Sequence, residues 1–191
     1  MLTRQGSRRS VSGRLWWVAI TVVLAAAALG RYGAPVTHAT GVTSSAAAGI
    51  IRDDPSKIRY SSTGLDFFKS HGVLVPIHGQ PIDFSSGDFS ISITTDAGEI
   101  FSTGLPPGAV GAQTDGGFKY HNSDAKLSGG ISILKAKRTS DGTFKLTVLC
   151  YGDIGPGATT MTTHIFVAGQ EWTVTATWRA TATGWVFVSA L

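Results

Sequence analysis

The feature that most constrains this chain is a two-residue alternation of apolar and polar side chains, broken at short intervals by turn residues. In residues 89–95, FSISITT, Phe89, Ile91 and Ile93 alternate with Ser90, Ser92 and Thr94. Successive side chains of a strand point to opposite faces, so this spacing describes a strand with one buried face and one wet face. Phe144, Leu146 and Val148 repeat the design against Lys145, Thr147 and Leu149. In residues 171–179, Trp172, Val174, Ala176 and Trp178 oppose Thr173, Thr175, Thr177 and Arg179. Turn signals separate these runs: Asp96-Ala97-Gly98, Ser140-Asp141-Gly142, Ala168-Gly169-Gln170 and Thr181-Ala182-Thr183-Gly184. Glycine supplies the positive φ that a tight reversal needs, so each pair of runs is predicted to be a hairpin.

No segment after residue 40 holds a 3.6-residue apolar period, and NSDAKL (122–127) is expected to give one helical turn between strands. Strands recurring at roughly 8–12-residue spacing predict an all-β fold. The expectation is an antiparallel β-sandwich over residues 55–191, immunoglobulin-like in appearance. The Cys…Trp…Cys framework of antibody-type domains is missing, which leaves the strand topology open.

The N-terminal segment has a different chemistry. TRQGSRRSVSGR precedes the uncharged apolar run LWWVAITVVLAAAAL, residues 15–29. As a helix, that run spans roughly 22 Å at ~1.5 Å per residue, short of the ~30 Å hydrocarbon core. Residues 1–30 are therefore expected to be a leader helix, a signal peptide that becomes a membrane anchor if left uncleaved. Ala28-Leu29-Gly30 and Thr37-His38-Ala39 are weak matches to a cleavage site. SRRSVSG (7–13) resembles the twin-arginine export motif in Arg8-Arg9 but departs from it at Ser12 and Gly13, and it is read as a basic n-region. Residues 31–54, rich in Ala, Gly, Ser and Thr, are expected to be a linker.

The formal net charge of +4 is unevenly placed. Arg4, Arg8, Arg9, Arg14 and Arg31 account for five of the 16 Lys and Arg residues, so 11 remain against all 12 Asp and Glu from residue 40 onward. Those 11 are interspersed with acids and no stripe of Lys and Arg appears, so nucleic acid is not an expected partner.

The candidate sites are few. Trp172 and Trp178 share their strand face with Val174 and Ala176, which points to core packing. Trp185 stands beside a turn and, with Phe118 and Tyr120, is the candidate ligand-binding set. Phe118 and Tyr120 flank Lys119 within residues 105–124, read as a recognition loop or, in preference, as a crossover loop with a short edge strand. Cys150, the one cysteine, excludes an intramolecular disulfide and is expected to be buried. His38, His71, His78, His121 and His164 show no metal-ligand spacing, no D-x-D-x-D-G run suits calcium, and no G-x-S-x-G is present. No metal, cofactor or catalytic residue is expected.

Five segments also carry a resemblance: KIRYSSTG (57–64), the Gly-Gly-Ile strand at 129–131, FKLTVLCYGD (144–153), MTTHIFVAGQEW (161–172) and TATWRATATGW (175–185). In this order they are similar to an uncharacterised β-module of exported bacterial proteins, where it often sits at the C-terminal end. The resemblance covers residues 56–187 and implies no activity.

The functional expectation is an exported, non-enzymatic β-sandwich, periplasmic or extracellular, serving as a structural or interaction module of the cell envelope. Its partner would be an envelope protein or polysaccharide, with membrane contact only through the N-terminal segment. The alternative is a carbohydrate-binding module using Trp185, Phe118 and Tyr120. A third expectation is a hydrolase whose site is assembled from distant residues.

Overall fold

The alternating segments become strands and the turn signals become their connections. In the computed structural model, residues 56–191 are described, together with a two-residue strand at Ala47–Ala48. They belong to a compact unit, Thr43–Leu191. The expected leader, residues 1–30, and the rest of the expected linker, residues 31–54, lie outside the described residues.

The strands are β1 (Ala47–Ala48), β2 (Lys57–Arg59), β3 (Asp66–Leu74), β4 (Phe89–Thr95), β5 (Gly98–Leu105), β6 (Gly111–Ala112) and β7 (Phe118–His121). A single helical turn, α1 (Ala125–Ser128), falls where NSDAKL predicts it. Then follow β8 (Gly130–Arg138), β9 (Phe144–Gly152), β10 (Thr160–Val167), β11 (Gln170–Thr181) and β12 (Gly184–Ala190). Among the described residues no helix is long and apolar enough to cross a membrane.

The described fold is mostly antiparallel β. Eleven strands form one continuous sheet in the order β5-β4-β10-β11-β12-β2-β3-β9-β8-β7-β6, and β1 pairs in parallel with β11 off that path. Ala47–Ala48, inside the stretch expected to be linker, is thus a sheet strand. Residues 105–124 hold β6 and β7 at one end of the sheet, the edge-strand arrangement expected for them.

The sheet curls so that its inner face packs on itself. The ring of Phe101 on β5 lies 6.3 Å, edge-on, from that of Phe68 on β3, although six steps of strand order separate them. The Gly155 N–H also donates to the Ile100 carbonyl at 2.8 Å, which ties the segment after β9 to β5.

The alternating apolar residues fill the space inside the curl. Phe89, Ile91, Ile93, Phe144, Leu146, Val148 and Cys150 are all buried. Trp172 and Trp178 are 1% and 2% exposed, so the period-two reading of β11 holds. Full burial of a large apolar side chain contributes roughly 1.5–3 kcal/mol. The two indoles differ in their polar end. Trp172 Nε1 donates to the Val75 carbonyl at 2.8 Å, whereas Trp178 Nε1 is buried with no partner.

Two glycines allow the close approaches that join the strands. Gly184, at φ +155°, begins β12 where it meets β2, and an added Cβ would stand 2.0 Å from the Ile58 carbonyl oxygen. Gly157 lies against the indole of Trp185, where a Cβ would come within 2.5 Å of Nε1. Tyr60 fixes the same loop, its hydroxyl donating to the Gly155 carbonyl at 3.0 Å and accepting from the Gly157 N–H at 2.8 Å.

Candidate functional site

The three aromatic candidates do not converge. Phe118 and Tyr120 share β7, but Trp185 lies on β12, with β8, β9, β3 and β2 between them. All three pack against the core. The Phe118 ring sits 5.2 Å from that of Phe84 and 5.9 Å from that of Phe144, in one inward-facing aromatic cluster. Trp185 is half-buried and pairs across the sheet with the buried Ile58.

The outer face of the half-sheet β2-β3-β9-β8-β7 has the strongest chemical character. Residues directly opposite on neighbouring strands point to the same side, so the register assigns this face row by row. One row crosses seven strands: Arg179, Val186, Lys57, Lys69, Leu149, Ile133 and His121. The next holds Lys119, Lys135, Thr147 and His71. Beyond it come Lys137, Lys145 and Val73. On the other side, Arg59, Phe67 and Tyr151 close the face.

Eight of the ten Lys and Arg among the described residues therefore stand on one sheet face; only Lys126 and Arg138 do not. No Asp or Glu occupies any of these rows. The acids among the described residues lie in turns, at strand ends or on the other half of the sheet; Asp66, at the start of β3, accepts hydrogen bonds from the Ser61 and Ile154 N–H groups. No Lys or Arg among the described residues forms a salt bridge, and Lys57 instead lies 5.7 Å over the Phe67 ring. Three lysine pairs are in direct cross-strand register: Lys119 with Lys135, Lys137 with Lys145, and Lys57 with Lys69. Like charges placed directly opposite destabilise a sheet.

The sequence shows no such stripe because these basic residues come from six strands that turns and acids separate along the chain. The one local signal is the spacing K-x-R in Lys57-Ile58-Arg59 and K-x-K in Lys135-Ala136-Lys137, which places two cations on one strand face.

The outer face of β4-β10-β11 is by contrast built mostly of hydroxyl side chains, several of them bonded to one another. Ser92, His164 and Thr173 form one row, and Thr94, Thr162 and Thr175 the next. Thr162 Oγ1 and Thr175 Oγ1 are 3.0 Å apart, and Thr94 Oγ1 is 3.2 Å from His164 Nε2. His164 Nδ1 is 3.1 Å from Glu171 Oε1, within hydrogen-bonding distance.

Other reactive groups are occupied structurally. Burial pushes the Cys150 thiol well above the usual thiol range, which removes it as a nucleophile. The Ser85 and Ser86 hydrogen bonds bring Asp83 down to about 2, and Thr139 and Thr143 do the same for Asp141. Both acids act as locks of their own turns. Among the described residues no three His, Cys, Asp or Glu side chains are grouped to hold a metal ion.

No protein-family model, curated protein or solved structure matches the chain.

Proposed function

We propose that this chain is an exported, non-enzymatic interaction module of the cell envelope, folded as an immunoglobulin-like β-sandwich, that docks through the basic outer face of β2-β3-β9-β8-β7. The observation that carries the proposal is the gathering of seven unpaired cations on that face without a registered acid, with Arg179 of β11 continuing its long row across β12. A folded domain gains nothing from three lysine pairs in register; a polyanionic partner turns that repulsion into attraction. The basic segment and apolar run of residues 4–29 support export. The contact of Phe68 with Phe101 across the curl supports two facing layers.

Cell fractionation with N-terminal sequencing tests both parts, using the wild type and a Lys135→Gln/Lys137→Gln/Lys145→Gln variant. The wild type should be recovered outside the cytoplasm and held with the envelope, and the variant should shift toward the soluble exported fraction. Recovery in the cytoplasm with an intact N-terminus overturns export. Equal partition of the two proteins overturns the docking face.

A further inference from the structure

We infer that the partner of this basic face is the anionic headgroup surface of a phospholipid membrane. The inference rests on the docking role proposed above and names its ligand. Three properties of the face lead to it.

The charges are spread in two dimensions. The long row from Arg179 to His121 crosses six strand-to-strand steps, about 29 Å along the sheet at ~4.8 Å per step. From the row of Lys145 to that of Arg59 is about 20 Å along the strands, at ~3.4 Å per residue. A single polymer chain needs one track, whereas a leaflet presents anions over an area.

Apolar side chains are interleaved with the cations rather than fenced off from them. Val73, Leu149 and Ile133 stand among the lysines, and Phe67 and Tyr151 lie beside Arg59, all half-buried. A soluble polyanion gains little from such groups. A membrane interface takes them up while lysine stems lie along them with their ammonium groups at headgroup level.

The chemistry of the cations is wrong for reading nucleic acid. Six of the eight are lysines, compact charges that do not recognise phosphate or bases in a fixed fork. Phe67 is not an open stacking platform, because Lys57 lies over its ring and Tyr151 tilts against it with centroids 6.1 Å apart. Membrane contact, expected from sequence only through residues 1–30, then extends to the domain itself.

The test is sedimentation of the full chain with vesicles of phosphatidylcholine, with and without phosphatidylglycerol. Duplex DNA and polyphosphate serve as soluble probes. The Lys135→Gln/Lys137→Gln/Lys145→Gln variant carries the same N-terminal segment and isolates the face. Lys126→Gln, on α1 and off the face, is the control, and circular dichroism confirms that each variant folds. The expected result is tighter binding to anionic than to neutral vesicles, with the difference weakened by salt. The triple variant should lose about fivefold per lysine, on the order of a hundredfold in all, and Lys126→Gln should match the wild type. Equal vesicle binding by wild type and triple variant overturns the membrane assignment, and so does tighter binding to DNA or polyphosphate than to vesicles. A wild type that binds none of the four probes overturns the docking face as well.

Discussion

The outer faces of the two half-sheets start from the same alternation and end with opposite electrostatics. On β4-β10-β11 several polar side chains bond one another: Thr162 meets Thr175, Thr94 meets His164, and His164 meets Glu171. On β2-β3-β9-β8-β7, Lys119 meets Lys135, Lys137 meets Lys145 and Lys57 meets Lys69. A face that satisfies itself has little left to offer a partner. A face of like charges in register is relieved when opposite charge is brought to it, which is the basis of the proposed docking.

The largest expected effect falls on the seam between the two halves. Gly184→Ala drives a Cβ into the Ile58 carbonyl at the β12–β2 junction, and backbone has no flexible end to give way. A loss of about 3 kcal/mol or more follows from forcing that contact. Urea unfolding measures it, and a variant with wild-type stability would show that β2 and β12 are not held this closely.

A smaller effect of opposite sign is expected on the basic face. Lys135→Glu converts the pair with Lys119 from repulsive to attractive and should raise stability by ~0.5–1 kcal/mol at low salt. The gain should shrink as salt screens both pairings. Thermal unfolding at low and high ionic strength reads both. A destabilised Lys135→Glu protein would mean that the lysines do not repel each other in the free domain.

The smallest effect is expected on the hydroxyl face. Thr162→Val or Thr175→Val removes one exposed hydroxyl pair and should change stability by no more than ~0.5 kcal/mol, since valine keeps the branched shape a strand favours. A larger loss, read by the same unfolding curves, would give that face a structural weight comparable to the seam and weaken the contrast between the halves.

Much of this architecture was legible in the chain. Phe89, Ile91 and Ile93, or Phe144, Leu146 and Val148, announce their buried face because a two-residue period admits no other consistent packing. Trp172 and Trp178 followed the same rule into the core. The turns at Ser140-Asp141-Gly142 and at Ala168-Gly169 were visible as chemistry, with Gly142 at φ +83° and Gly169 at φ +83°. The aromatic candidates were less legible. Phe118 and Tyr120 read as a short edge strand, yet only the packing of the Phe118 ring against those of Phe84 and Phe144 shows that their side of β7 belongs to the core. Trp185, next to a turn, could not be seen to lie under Gly157, which comes from a loop nearly thirty residues earlier.

The sequence by itself determined the strands, the turns and the face that each strand buries, because these depend on residues two to four positions apart. The order of strands was decided only in three dimensions. It sets β2 between β12 and β3, and it lines up cations from six different strands that lie up to 122 positions apart, from Lys57 to Arg179. Alternation fixes which side of a strand a lysine occupies, but not which lysine stands opposite. That second fact depends on cross-strand register, which long-range pairing sets, and from it comes the basic face of β2-β3-β9-β8-β7.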